Sequence, residues 1–401
     1  MKSDVEYPRP GSPPPRVNGV AAIFGISGRR ALKLYALSVA MVMALFLVIA
    51  WSIDLAGNFD DVVETAKRDG LNTGWLLARY LVYRMADIVT RLFPVACFIG
   101  LFLAEMWRMI RLESTIMAAS GWSPVQTLLV VALFGAGAGV LQFSLERDLR
   151  PAAIFAQVDL DVGSYAKRFK RGVSEEQRWF VVGNDILRAR VKSDNEPELS
   201  ELELYRGAGD GKLQDVLIAE RAVPTGEDNI WQLQNAYLWA RLPGQSAVGE
   251  SRVVSDAFYL VSRYATLDLE IDLLPVQLEY HGVAAFYLPE AALRELEHAR
   301  YAIAASEVAS ARARRAASAV LPGSFALLGA SLAPLAGSGR IRSVRKILIL
   351  LLCGYAALVT LKVFWALGEL GAVSAPVSAW FAVAAALAGT LAATWWQSRL
   401  R

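Results

Sequence analysis

Cysteine and histidine are almost missing from this 401-residue chain, which has two of each. Cys97 and Cys353 lie inside apolar runs, where a free thiol behaves as a small hydrophobe. With no cysteine in the central polar stretch, and only His281 and His298 in different contexts, a disulfide framework and a zinc site are excluded there. That stretch must be held by its apolar core alone. Charge of one sign is lacking too: 41 basic against 38 acidic residues leave a net charge of +3. No dense Lys/Arg face stands out, which argues against a nucleic-acid partner. There is no Gly-x-Ser-x-Gly elbow to present a nucleophile. The run Gly207 to Leu213 superficially resembles a phosphate loop, but Arg206 stands where the first glycine is required and Leu213 replaces the magnesium-binding Ser/Thr. It reads as a hairpin turn. No enzyme site, cofactor or metal is expected.

What the chain does have is apolar sequence: 55% hydrophobic residues and a mean hydropathy of +0.36. The apolar residues gather in three blocks before residue 148 and three after residue 315. A spanning helix needs about 20 mostly apolar residues. Leu34 to Ile53, Ile88 to Trp107, Val125 to Phe143, Ala316 to Gly337, Ile347 to Leu367 and Ser374 to Trp396 meet that length. The second is the weakest, with Arg91, Pro94 and Glu105 near its ends, and both charges are expected to snorkel toward headgroups. The first follows Arg29-Arg30 but is longer than a signal-peptide core and lacks a small-x-small site, so it reads as a retained span. The Pro-rich lead, within residues 1–28, reads as a flexible tail.

Orientation follows from the basic residues of the short loops. Arg29, Arg30 and Lys33, then Arg108 and Arg111, then Arg340, Arg342, Arg345 and Lys346, and finally Arg399 and Arg401 fall on one side if there are six spans. The opposite short loop, Glu369 to Val373, has none. By the positive-inside rule both termini are cytoplasmic and the central domain lies across the membrane. The segment Asp54 to Arg84 reads as an acid-rich loop on that far side. The cytoplasmic segments are too short to fold a nucleotide-hydrolysing domain, so energy for any active process must come from another chain or an ion gradient.

From Arg178 to Leu274 short β-like runs alternate with turn signals at Gly183-Asn184, Gly209-Asp210-Gly211 and Pro243-Gly244. Leu199, Leu202 and Leu204, and Leu267, Leu269 and Ile271, mark apolar faces. Many short strands at this spacing suggest an antiparallel sandwich or jelly roll. Pro289 and Glu290 then open a helix leading back to the fourth span.

The most informative segment joins spans two and three. Leu112 to Ser120 reads as a short helix, Gly121 as its C-terminal cap, and Ser123-Pro124 as the start of the next helix. Leu112, Ile116 and Ala119 share one face; Glu113 and Met117 share another. Such a helix suits a groove on a cytoplasmic partner, although a plain connector has the same pattern. Here the stretch from Leu92 to Ala153 resembles the LptF/LptG (YjgP/YjgQ) permease family, in which an acidic helix and an A-S-G-x-S turn join these spans. Glu113 matches the acidic position and Ala119 to Ser123 the turn. The first span, the strands around Trp179 and Trp231, and the helix from Leu288 to Tyr301 are similar as well.

The resemblance implies an α-helical membrane protein of six transmembrane helices with an inserted all-β, jelly-roll-like periplasmic domain. Its parts would be a tail (1–28), spans one to three (29–148), the β domain (149–311) and spans four to six (312–401). It further implies the bacterial inner membrane, a second LptF/LptG-like permease subunit, a cytoplasmic LptB-like ATPase dimer, an LptC-like periplasmic subunit, and lipopolysaccharide as cargo. Glu113, Ile116, Met117, Ser120 and Gly121 would then contact the ATPase. Lys362, Arg147 and Arg150 are candidates for glycolipid phosphates, since ammonium and guanidinium groups in low dielectric bind phosphate strongly; snorkelling would also explain them. Lys33, at the other end, ranks below them. The competing reading is a membrane-anchored periplasmic scaffold or sensor without transport activity, disfavoured because no cytoplasmic output domain is evident.

Overall fold

The structure is a computed structural model, and it describes residues 25–169, 177–193, 197–226, 229–241, 259–280, 283–298, 305–337 and 343–399. The Pro-rich tail, the Pro243-Gly244 turn, His281, Arg340, Arg342 and Arg401 lie outside the described residues. Among the described residues, five helices are long and apolar enough to cross a membrane, or six if one bent pair counts as a span.

Helix α1 (Ile26–Arg68) has 43 residues, roughly 65 Å at 1.5 Å per residue. That is about twice the ~30 Å of a hydrocarbon core. Helix α2 (Thr73–Ile110) returns beside it. The loop expected over Asp54 to Arg84 is therefore a helical hairpin that turns only at residues 69–72. The turn is set by Gly70 at φ +67° and by Asn72, whose side chain accepts the Trp75 N–H at 3.0 Å. The extension holds because it is amphipathic: Val62 and Ala66 bury against Leu76 and Tyr80, Asp60, Glu64 and Asp69 turn outward, and Asp54 turns in to pair with Arg84 at 2.7 Å.

Helix α3 (Glu113–Ala119) is the short connector, and α4 (Pro124–Ser144) starts the third span. A π-turn at Leu145–Leu149 carries α4 into α5 (Arg150–Asp159), followed by α6 (Gly163–Arg168). Six strands follow: β1 (Arg178–Val182), β2 (Asp185–Ser193), β3 (Pro197–Arg206), β4 (Asp215–Pro224), β5 (Ile230–Arg241) and β6 (Tyr259–Glu270). They form one antiparallel sheet in sequence order. A jelly roll needs Greek-key crossings between two sheets; here each described strand pairs with the next, so the connectivity is a meander. The run Gly207 to Leu213 is the β3–β4 turn, with Gly207 and Gly211 at positive φ.

One face of the sheet makes the domain's core, with Leu187, Leu204, Leu217 and Leu233 around a fully buried Trp231. The Trp231 indole donates to the Leu273 carbonyl at 2.9 Å, which satisfies its one polar atom. Leu199 and Leu202 both reach this core although they are three apart. The pairing of β2 with β3 slips between Arg188 and Arg190, and Glu201 takes a left-handed φ of +54°. The resulting bulge re-aims the strand.

After α7 (Pro275–Glu279) and α8 (Glu290–His298), the chain re-enters the bundle as α9 (Ala305–Ser318) and α10 (Leu321–Leu332). The fourth span, expected as one charge-free helix, is this pair, bent by 52°. Pro322 causes the break, because it has no N–H to continue the helix from Ser318. Helices α11 (Val344–Glu369) and α12 (Ala375–Arg399) complete the bundle.

The bend packs on the glycines of α4. A Cβ at Gly139 would lie 1.8 Å from the Ala319 carbonyl oxygen, and one at Gly135 would lie 2.6 Å from Gly323 Cα. Both neighbours are backbone, so neither can yield cheaply. Gly137 faces open space. Gly139→Ala is expected to destabilise the chain by about 1–3 kcal/mol through overpacking, whereas Gly137→Ala is expected to be neutral or slightly stabilising. Thermal unfolding of the two purified variants in detergent tests this, and equal midpoints would refute the packing argument.

Candidate functional site

Polar chemistry concentrates in two clusters on α2, one at its C-terminal end and one inside its N-terminal half. At the end away from the sheet, α3 begins at Glu113 because Leu112 adopts a left-handed φ of +59°. Leu112 therefore lies outside the helix and does not extend the Ile116 and Ala119 face. The C-terminal end matches expectation. Gly121, at φ +88°, donates to the Ala118 carbonyl at 3.1 Å, and Trp122 donates to Met117 at 2.9 Å, a Schellman arrangement. Ser123 and Gln126 then form a capping box at the start of α4.

No residue of α3 is buried. Its two faces behave differently. Glu113 turns to α1 and pairs with Arg30 at 2.9 Å, and the Met117 sulfur accepts from Arg108 Nη2 at 3.1 Å. Ile116 points outward, 67% exposed, with Ser120 and Gly121 also exposed. Beneath them lies a buried cluster. Arg108 Nη1 donates to Glu105 at 2.6 Å and to the Tyr35 hydroxyl at 2.9 Å, and Tyr35 donates to Glu105. Glu105 thus does not snorkel. The Arg108 partner one turn away neutralises it inside the bundle, which a carboxylate out of water requires.

At the sheet-bearing end the hub is Asp87, a residue the sequence reading passed over. Arg150 Nε reaches its carboxylate at 2.9 Å, Arg91 Nε at 2.9 Å and Arg84 Nη1 at 3.3 Å. The Tyr165 hydroxyl donates to it at 2.8 Å and accepts from Arg91 at 2.6 Å. Burial first, and then the Asp87 carboxylate, push the Tyr165 phenol well above its ordinary range, so it stays a donor. Arg91 also donates to the Tyr287 hydroxyl at 3.0 Å. One carboxylate thereby joins α2, α5, α6 and the segment after the sheet. The spacing Arg84, Asp87, Arg91, three and four apart on one helix, was the available signal.

The three expected lipid-contact residues have different surroundings. Arg150 is 1% exposed, pairs with Asp87 and with Glu146 at 3.1 Å, and lies 3.8 Å over the Phe286 ring. Arg147 is partly exposed, with its Nε 3.6 Å from Asp148. Lys362 is exposed on α11, and no described contact joins it to either arginine. Between them sits Arg314 of α9, which sequence reasoning missed: it pairs with Glu369 and lies 3.9 Å over Trp365. The neighbouring Arg315 binds Glu290 of α8 at 2.9 Å, tying the exit from the sheet to the bent span. Among the described residues no cluster of His, Cys, Asp and Glu could hold a metal ion.

Long apolar helices before and after an inserted antiparallel sheet, with their buried charges paired, define a multi-pass membrane protein carrying a β domain. The model of the family described as lipopolysaccharide export system permease LptF/LptG matches residues 29–396. The chain belongs to that family, and so to the permeases of lipopolysaccharide export. No individual curated protein matches it.

Asp87→Asn would leave Arg91 without its carboxylate and the buried Arg150 with Glu146 alone. Breaking a buried pair from one side costs roughly 3–5 kcal/mol, so the variant is expected to unfold at a markedly lower temperature, while Asp148→Asn, on an exposed side chain, is expected to leave it unchanged. Comparable midpoints for the two would refute the hub. Glu290 gives a pH signature. Burial opposes its ionisation, but the hydrogen bond and charge of Arg315, with Arg294, hold its carboxyl below the usual glutamate range. This stabilisation is present above the unfolded-state value and is lost as pH falls through the lower folded value. The acid-side fall in unfolding temperature is expected to be shallower in Glu290→Gln than in the native chain, and identical curves would contradict this.

Proposed function

We propose that this chain is one half of an ABC-type lipopolysaccharide exporter. In this reading it pairs with a second LptF/LptG-like permease in the bacterial inner membrane, with both termini cytoplasmic and the β domain periplasmic. A separate cytoplasmic LptB-like ATPase dimer supplies energy, and the chain carries no ATPase site of its own. The glycolipid is extracted beside α1 and α11 and passed to the β domain, then to an LptC-like subunit and a periplasmic bridge. The exposed apolar faces of α1 and α11 support this entrance: most of the apolar length of each is uncovered, whereas most of that of α2 is buried. Lys362 and Arg147, both reachable, are the residues proposed to meet glycolipid phosphates. Arg150, already neutralised by two carboxylates, supports that site from beneath.

The observation that carries the coupling assignment is α3. It is an exposed seven-residue helix, tied inward by Glu113 and Met117 and free outward along Ile116, Ser120 and Gly121. We assign it as the contact for the ATPase, with Ile116 as the touching side chain and Glu113 holding the helix in place. Charge reversal, Glu113→Lys, sets two cations together and is expected to lower recovery of the ATPase with tagged chain about tenfold or more while membrane insertion persists. The swap Arg30→Glu with Glu113→Lys restores the pair and is expected to recover part of the binding. Ile116→Asp is expected to abolish it. Native-level recovery with both Glu113→Lys and Ile116→Asp would sink the coupling assignment.

A further inference from the structure

A crevice of about 460 Å³ opens between the start of α1, the end of α2 and α3. We propose that it binds the phosphate headgroup of an anionic phospholipid from the leaflet at that end of the bundle. The charged groups facing it are Arg30, Lys33, Arg108, Arg111 and Glu113. Two of the cations are already matched: Arg108 by Glu105 and Arg30 by Glu113. Lys33 and Arg111 have no carboxylate partner among the described residues. Arg111 is held instead over the Trp107 ring at 4.7 Å, which orients its planar fork and leaves its N–H groups to an acceptor. The crevice therefore carries two uncompensated positive charges, one from each of two helices.

Apart from Ser27, the rest of the lining is apolar. Leu37 and Trp107 are 60% and 49% exposed, and Leu34 adjoins them. These residues belong to spanning helices, so their uncovered sides meet acyl chains rather than water. Paired cations above exposed aliphatic and indole surface match a phosphate followed by its glycerol and fatty chains. A soluble anion would use the cations and leave Leu37 and Trp107 uncovered. Arg30, with several N–H donors, faces the crevice while paired with Glu113, so a bound phosphate would share it with the acid that anchors α3. The inference needs only that α1 and α2 span a membrane; it does not depend on what is exported.

Native mass spectrometry of the full chain in detergent tests it, with phosphatidylglycerol, phosphatidylcholine and inorganic phosphate added in separate titrations. Phosphatidylglycerol is expected to bind in preference to phosphatidylcholine. Each basic residue at an anionic surface contributes about a factor of five, so Lys33→Gln with Arg111→Gln is expected to weaken phosphatidylglycerol binding roughly 25-fold. The charge-keeping pair Lys33→Arg with Arg111→Lys should stay within about threefold of native. Both side chains are exposed, and unfolding temperature verifies the fold; Lys33→Gln alone, with about a fivefold loss, serves if the double variant is unstable. Unchanged phosphatidylglycerol binding in the neutralised variant overturns the proposal. So does inorganic phosphate binding as tightly as the lipid, which would make this a free-anion site. Loss of a protein partner without loss of lipid binding would assign the crevice to that partner instead.

Discussion

A carboxylate removed from water survives as an anion only among cations and hydrogen-bond donors, and Asp87 is the place where this chain meets that condition most completely. Three guanidinium groups and one phenol converge on it, from α2, α5 and α6. The arrangement explains several features that are otherwise unrelated. The π-turn at Leu145–Leu149 slightly rotates the helix continuing from α4 before Arg150 enters. Tyr165 and Tyr287 stack edge-on at 5.6 Å, so that both hydroxyls are available to Arg91. Burying so much charge is weak evidence for stability. Its consequence is geometric: the root of the inserted domain has one docking arrangement on the membrane helices, because any other leaves a charge dry.

The second buried cluster obeys the same rule at the C-terminal end of α2. Glu105, Arg108 and Tyr35 tie α1 to α2, and Arg108 continues to Met117 of α3. Neither cluster stands on a loop. Both stand on a single helix of 38 residues, roughly 57 Å long, which is also the most enclosed of the five long apolar helices described. Its interior passes close to others through small residues: a Cβ on Gly100 would collide with the Val39 backbone, and one on Gly329 with the Phe98 carbonyl. Close backbone approach of this kind is how membrane helices gain contact where lipid supplies no hydrophobic drive.

Composition and periodicity made the broad architecture legible: apolar blocks long enough to span, a polar middle with strand signals, and a short capped helix between the second and third spans. The Schellman end at Gly121 and the capping box at Ser123 were readable because each depends on two or three adjacent residues. What stayed hidden depends on residues far apart. Asp87 carried no signal that set it apart beyond its spacing from Arg84 and Arg91, since its partner Arg150 is 63 residues away. The Asp54 to Arg84 segment looked like a loop because its charges mask a narrow apolar stripe, Val62, Ala66, Leu76 and Tyr80, that only the hairpin brings together. The meander could not be told from a jelly roll because strand spacing is the same in both. The bulge at Glu201 was disguised as a broken alternation.

The bent span bears on how the two ends can be mechanically related. A rod such as α2, pinned by one charge cluster at its C-terminal end and another inside its N-terminal half, resists sliding, because a shift would part Asp87 from Arg150 and Tyr165 and Glu105 from Tyr35. Angular freedom must come from elsewhere. At Ala319–Val320 the helical hydrogen-bond ladder is interrupted, since Pro322 has nothing to donate to Ser318. Glycines of α4 face that interruption with no side chain in the gap. The half of this span nearer the sheet carries Arg314 and Arg315, which hold Glu369 of α11 and Glu290 of α8; the other half packs on the rod. A change in the 52° angle would therefore move the sheet's exit helix and the end of α11 together, relative to α2. Coupling between distant sites requires an element with two arrangements; this break interrupts the helical ladder, but Gly135 and Gly139 hold it in close backbone contact, so a change of its angle must carry α4 along.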